Sequence, residues 1–410
     1  MTGATGFLGS VVLVEILTTW HECTVACLVR CEDEKGSGGG TAAKKLAAMG
    51  KLRIKRVLEK ALLWEPGFEA RIEAVVGCLE KPCFGLADSC IQALADRRPL
   101  VVHCAARVDW VRPYTALRRA NVCGTWEVLN FCLNFTKPRH PLPLIHVSTG
   151  AVASLSGSDL SPTKGQGPTA TTTSAKRRSN KLCVNELKEA SGYVATKAVA
   201  EVLVEEARLT RGLPCAVLRP GAVTAHSKTG YANTEDFVTR YLSACAQLRV
   251  SVDAPALCEL IPVDFVAAAT VAVVRMLMAN SQQPQSSRSV FAIANPCSPT
   301  FSALSKLLKL RNHHHCDSAS SDDSRLLPVV LRACPPQEFV QSVRGAEACR
   351  LQPLLPIVEC ESFWFEDGGE VDPCDELWEL LAIHAPLLAM PEIDEAYLFQ
   401  ALDWLESSQL

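Results

Sequence analysis

Along the first 300 residues, short apolar runs alternate with longer stretches whose apolar positions recur every three or four residues. The runs Thr24–Val29, Ile72–Val76, Leu100–His103, Leu144–Ser148, Cys215–Arg219 and Val290–Ala294 carry few charges, which predicts strands covered on both faces. Between them, Phe7–Leu17, Asn121–Leu133 and Tyr193–Thr210 show helical spacing. Phe265–Ala279 does too; it contains Arg275 and is too short for a bilayer, so it reads as a core helix. Strands alternating with helices imply a parallel sheet with crossover connections. In the last hundred or so residues the pattern becomes Leu-rich, and Asp375–Leu388 and Ile393–Leu405 read as amphipathic helices.

Four polar stretches read as loops: Gly36–Gly40, Ser154–Asn180, Asn280–Ser287 and Asn312–Ser324. The last contains His313, His314 and His315, which lie among Asn, Ser and Asp without a carboxylate at a defined spacing, so a solvated loop is expected rather than a metal site. The expected fold is an α/β Rossmann-type doubly wound parallel sheet with a smaller, mainly helical C-terminal substrate lid. The expected division is a nucleotide-binding core over 1–224, a substrate-domain insertion over 225–255, a return to the core over 256–296, and the lid over 297–410.

Composition narrows the class. Lys and Arg number 41 against 44 Asp and Glu, for a net charge of -3, so nothing in the charge balance points to nucleic acid as a partner. No run spans a bilayer. The 19 cysteines are scattered, without the paired C-x-x-C spacing of a zinc site, and they read as buried small hydrophobes in a reduced, cytoplasmic compartment.

The chemistry begins at the first residues. Gly3, Gly6 and Gly9 form a G-x-x-G-x-x-G turn that opens the first helix. Glycines allow a tight turn and close backbone approach, and a helix N-terminus offers amide donors to a pyrophosphate. Such a turn follows a strand, yet only Met1 and Thr2 precede Gly3, so the first strand is expected to be truncated. The second strand ends at Arg30. A basic residue there suits a 2′-phosphate and hence NADPH, although Glu32 and Asp33 follow closely and an ordinary solvated arginine remains an alternative. At the end of the next strand, Cys104, Ala105 and Ala106 are small enough for a cofactor to lie against the backbone. Asn121 reads either as a helix N-cap or as an amide that holds a water or a lysine.

Tyr193 and Lys197, four residues apart, share one helical face. A nearby ammonium would favour the phenolate and lower the phenol toward working pH, letting Tyr193 give a proton to a carbonyl oxygen as hydride arrives. A strand ends at Ser148-Thr149 about 45 residues earlier, and Thr149, with Ser148 ranked second, is placed to bond the same oxygen.

Together these residues resemble extended short-chain dehydrogenases, and within them the thioester reductase and male-sterility group. The segments that carry the likeness are Thr2–Gly9, Lys81–Leu86, His103–Gly124, Tyr193–Lys197, Arg219-Pro220-Gly221, Gly230–Arg240 and Ile261–Val266. The resemblance implies cofactor contacts at Gly3, Thr5, Gly6, Phe7, Leu8, Gly9, Arg30, Ala105, Lys197 and Pro220, and catalytic roles for Thr149, Tyr193, Lys197 and Asn121. It also implies NADPH-dependent reduction of an acyl thioester, held on the phosphopantetheine of a carrier protein or on CoA, to an aldehyde or onward to an alcohol. One departure is Gly77-Cys78-Leu79, where the family places an aspartate beside the adenine; Lys44 or Lys45 would stand in for a second phosphate contact. Two other readings remain: a sugar-nucleotide or steroid-type dehydrogenase, and a non-catalytic NADP(H)-binding protein.

Overall fold

The computed structural model describes residues 1–30, 40–135, 141–155, 187–188, 190–279, 289–316, 332–346, 348–360, 362–365 and 375–408. Glu32, Asp33, most of the Gly36–Gly40 loop, nearly all of Ser154–Asn180 and all of Asn280–Ser287 lie outside them. The chain forms two compact units. One comprises Met1–Gly77, Pro220–Ala279 and Ala292–Leu410, and the other Cys78–Arg219 and Asn280–Phe291.

The strands fall where the apolar runs predict, within a residue at either end. They are β1 (Val25–Val29), β2 (Ile72–Val76), β3 (Val101–His103), β4 (Leu144–Val147), β5 (Cys215–Pro220) and a later strand, Val290–Ile293. In the first unit β1 and β2 pair in parallel, Val25 opposite Ile72 through to Val29 opposite Val76. Thr2 makes a single parallel bridge to Leu28, whose amide donates to the Met1 carbonyl at 2.9 Å. The first helix, Phe7–Thr19, buries Val11, Val12, Leu13, Ile16 and Leu17. It packs against the helix Val263–Ala279, whose apolar residues are also buried nearly all round.

A small parallel pair, Val250–Val252 with Arg332–Cys334, also belongs to this unit. So does the parallel pair Val223–Thr224 with Ile261–Pro262. The region beyond 297 therefore contributes a strand as well as helices. Its last helix, Glu395–Ser407, lies on the segment 225–232. The Tyr397 hydroxyl donates to the Ala225 carbonyl at 2.8 Å, and the Tyr231 and Trp404 rings meet edge to face at 5.3 Å. Gly230, at φ 70°, has room only for hydrogen, since a Cβ would stand 2.2 Å from the Gln400 carbonyl oxygen. The histidines of the expected 312–324 loop instead fall in the last turn of the helix Phe301–Cys316.

In the second unit β3, β4 and β5 stand side by side, with Val290–Ile293 next to β5. β3 pairs with β4 and β4 with β5 in parallel, with His103 directly opposite His146. Every residue of β3, β4 and β5 is buried, which accounts for their continuous apolar character. The helices Gly124–Asn134 and Gly192–Arg211 belong to the same unit. Gly192–Arg211 starts where the Ser191 hydroxyl accepts from the Val194 amide and ends at Gly212 in the left-handed region. Asn121 is not an N-cap. It lies in a π-helical turn, Arg119–Cys123, that runs straight into Gly124–Asn134.

Candidate active site

The glycine turn is built in the first unit as its spacing predicts. Gly3 sits at φ 81°, and the Gly6 amide donates to the Gly3 carbonyl at 2.9 Å. A Cβ on Gly9 would lie 2.1 Å from the same carbonyl oxygen, so the helix can approach the turn only with hydrogen there. Gly6 is the exposed N-cap of the helix and provides no side chain to satisfy the first amides. Those donors and the positive end of the helix dipole face outward, an arrangement that fits a pyrophosphate. Thr5 and Leu8 are half-buried on the turn, and the half-buried Phe7 ring packs on Tyr231 at 5.2 Å.

Arg30 is exposed directly after β1. Its carbonyl accepts from Arg53 Nη1 at 2.8 Å, so a second guanidinium, absent from the sequence reading, stands at the same strand end. Lys44 and Lys45 are exposed on the helix Gly40–Lys60 that also carries Arg53. Pro220 closes β5 and is buried.

The second unit holds the titratable groups. The helix Gly192–Arg211 carries Tyr193, Lys197 and Glu201 at successive four-residue steps, all buried. The Tyr193 ring packs with Leu117, Val152, Leu155 and Ala198, and it meets the Trp110 ring edge to face at 5.4 Å. Ala151 and Ala106 complete this apolar surround; Ala105 is half-buried just before Ala106. Thr149 caps the short turn Gly150–Ser154, its Oγ1 accepting from the Ala151 amide at 3.4 Å. The turn thus brings Thr149 to the wall of the Tyr193 cluster. Among the described residues no hydrogen bond links the Thr149 hydroxyl to the Tyr193 phenol. The Ser148 hydroxyl is buried and has no partner among the described residues.

Lys197 is 2% exposed. Its ammonium donates to the Val147 carbonyl at 2.5 Å and lies 3.4 Å from His146 Nε2. Burial lowers the Lys197 ammonium to about 8, against the opposing pull of the Glu201 carboxylate. Burial also raises the Tyr193 phenol to about 12, the reverse of the expected lowering by Lys197. The reason is geometric, because the ammonium is aimed at the end of β4, and the phenol is left in apolar surroundings.

Asn121 holds neither a lysine nor a cap. Its Oδ1 accepts from the Arg107 amide at 2.7 Å, and its Nδ2 donates to the Arg107 carbonyl and to Thr196 Oγ1, both at 3.0 Å. The amide therefore clamps the loop after β3 to the residue beside Lys197. Gly192 tightens the same junction, since a Cβ there would stand 2.3 Å from the Arg112 carbonyl oxygen. Sequence reasoning missed the ion pair between Arg219 and Glu201 and the paired histidines of β3 and β4, although His103 and His146 were visible in strands otherwise free of polar residues. Among the described residues no group of His, Cys, Asp and Glu is placed to hold a metal ion, and no helix is long and apolar enough to cross a membrane.

Several known proteins resemble this chain in sequence or fold. The chain is 32% identical over 272 residues to the non-canonical nonribosomal peptide synthetase FrzA of a Cladobotryum species, a match that covers 66% of this chain and 24% of FrzA. It is 36% identical over 276 residues to the glycine betaine reductase ATRR of Emericella nidulans, covering 66% of this chain and 19% of that protein. The chain thus spans about a quarter or less of the length of these relatives. Among solved structures, the terminal R domain from the myxalamid PKS-NRPS biosynthetic pathway is similar with a TM-score of 0.73 and 28% identity, covering all of this chain and 90% of that one. Residues 1–270 match the male sterility protein family, and the chain belongs to that family of NAD(P)-dependent oxidoreductases.

Proposed function

We propose that the chain is an NADPH-dependent reductase of acyl thioesters, taking an acyl group from the phosphopantetheine of a carrier protein or from CoA and releasing it as an aldehyde. The observation that carries this reading is the shared helical face of Tyr193 and Lys197, with the lysine tied to the strand end that bears Ser148 and Thr149. The likeness to synthetase and reductase chains, among them the L-2-aminoadipate reductase large subunit of Eremothecium gossypii at 31% identity, supports it.

Bound NADPH supplies a hydride. The chain's own residues manage the oxygen and its proton. Burial keeps the Tyr193 phenol protonated through neutral pH, so it enters as an acid and gives its proton to the carbonyl oxygen as negative charge develops there. The Thr149 hydroxyl supports the same oxygen. The Lys197 ammonium, with three donors and two partners in the fold, has a third N–H for a ribose hydroxyl. The reduced carbon, a hemithioacetal, then collapses: its C–S bond breaks, the C=O bond re-forms, and the hydroxyl proton leaves with the thiol. Arg30, with Arg53 behind it, selects the 2′-phosphate. Asn121 acts as a positioning residue through Arg107 and Thr196.

The test is NADPH oxidation, followed by absorbance, against a panel of acyl-pantetheine thioesters. Native protein is expected to turn over and Tyr193→Phe is expected to be inactive while still binding NADPH. Equal turnover by both removes Tyr193 as the acid. Turnover of sterols or sugar nucleotides, with none of thioesters, overturns the substrate class.

A further inference from the structure

His103 and His146 face one another in register on β3 and β4, 1% and 0% exposed, with ring centroids 5.3 Å apart. Two imidazoles side by side in the core of a parallel sheet are costly unless each nitrogen has a use. On one side, His103 Nε2 lies 3.1 Å from Thr125 Oγ1. That hydroxyl already donates its single proton to the Asn121 carbonyl at 2.6 Å. It can therefore only accept from His103, which fixes His103 as the Nε2–H tautomer. On the other side, an ammonium has donors alone, so His146 Nε2, 3.4 Å from Lys197 Nζ, must be its acceptor. The His146 proton then sits on Nδ1, which is buried and has no hydrogen-bond partner among the described residues. The ring gives up one hydrogen bond in order to present a lone pair to the lysine.

We propose that His146 is a positioning residue for Lys197: a neutral imidazole in the Nδ1–H tautomer whose Nε2 lone pair fixes the ammonium against the Val147 carbonyl. The contact stands on geometry alone; its part in turnover rests on the reductase reading above. Other groups face Lys197 as well. They are Tyr193 and Glu201 on its own helix, Arg219 on β5 as partner of Glu201, and His103 and Cys104 at the end of β3. Burial and the lysine charge keep both histidines neutral, His103 falling to about 3. His146 is thus a constant acceptor through the working range and not a switch.

Removing the acceptor takes a charge-assisted hydrogen bond from a buried ammonium. That lowers the pH at which Lys197 loses its proton by about one unit, given about 1.4 kcal/mol per unit. Two measurements test the proposal. In the first, the full chain labelled with 15N in its histidine rings is compared with His146→Gln to assign the signals, then with Lys197→Met. The expected result is an unprotonated Nε2 and protonated Nδ1 at His146, with the Nε2 shift changed in Lys197→Met. A protonated Nε2, or a spectrum indifferent to Lys197→Met, overturns the contact.

In the second, the pH profile of thioester-dependent kcat/KM is taken for native protein, His146→Gln, His146→Asn and His146→Phe. The Gln carbonyl can reach the Nε2 position and the Asn carbonyl cannot. The alkaline limb is therefore expected to stay in place for Gln and move down by about one pH unit for Asn and Phe. A uniform loss without movement of the limb overturns the positioning role and leaves the reductase reading intact. An expected NMR result in a native protein that turns over no thioester overturns the reductase reading and leaves the contact standing.

Discussion

Arg219 holds Glu201 through two nitrogens, Nη2 to Oε2 at 2.6 Å and Nε to both carboxylate oxygens at 3.1 Å, with each side chain less than a tenth exposed. The pair joins the end of β5 to the helix of Tyr193 and Lys197, one turn beyond the lysine. Breaking a buried pair leaves an uncompensated charge, at a cost of about 3–5 kcal/mol, whereas replacing both partners by apolar residues is often neutral. Glu201→Gln is therefore expected to lower the unfolding free energy in urea by about that amount, and the double variant Glu201→Leu with Arg219→Met is expected to recover most of it. A double variant as unstable as the single one would show that the pair does not act as a pair.

Arg30 and Arg53 stand together at the end of β1. Arg30→Ala is expected to weaken NADPH by roughly 10- to 100-fold while leaving NADH nearly unchanged, the loss of one charge-assisted contact to phosphate. Arg53→Ala should act in the same direction with a smaller effect, because its guanidinium is partly committed to the Arg30 carbonyl. Fluorescence titration of both nucleotides decides it, and equal losses for NADPH and NADH undo the 2′-phosphate assignment.

A methyl group at Gly9 would meet the Gly3 carbonyl oxygen at 2.1 Å and its carbon at 2.7 Å. Backbone cannot move aside as a side chain can. Gly9→Ala is expected to abolish nucleotide binding and to cost about 1–3 kcal/mol of stability. Gly67→Ala, with nothing within 4 Å of the added carbon, is the control and should bind normally. Normal binding by Gly9→Ala would remove the turn from the cofactor site.

Asp236 caps the helix Phe237–Leu248 through Oδ1, which accepts from the Thr239 amide at 2.7 Å, while Oδ2 is buried with no partner among the described residues. Burial raises this carboxyl from 3.8 to about 7, against the pull of the Thr239 hydrogen bonds. The folded state then holds a proton that the unfolded chain releases, so stability is greatest below pH 4 on this account and falls as pH rises toward 7. Asp236→Asn keeps the cap without the charge. It is expected to remove this pH dependence and to stabilise the protein at pH 8 by on the order of 2 kcal/mol, at about 1.4 kcal/mol per tenfold difference in proton affinity. Urea unfolding at pH 5 and pH 8 measures it, and an unchanged slope with pH would assign the dependence to other groups.

The local pattern of the chain determined its elements. Continuous apolar runs mark β3 to β5 because strands buried on both faces have no polar side to alternate with. The four-residue step from Tyr193 to Lys197 puts both on one stripe of a helix, and three glycines at three-residue spacing allow one kind of turn. These are properties of neighbouring residues, and neighbours can be read in order. The tertiary structure alone decided which partners the polar groups found. The ammonium of Lys197 went to Val147 and His146 rather than to the phenol, and burial made Tyr193 harder to ionise. Asn121 became a clamp on Arg107 and Thr196, and Val250–Val252 paired with a strand some 80 residues away. Helical and strand spacing report which face is apolar. They carry no information about which distant donor meets which acceptor, because that choice is made by desolvation and hydrogen bonding once the core has closed.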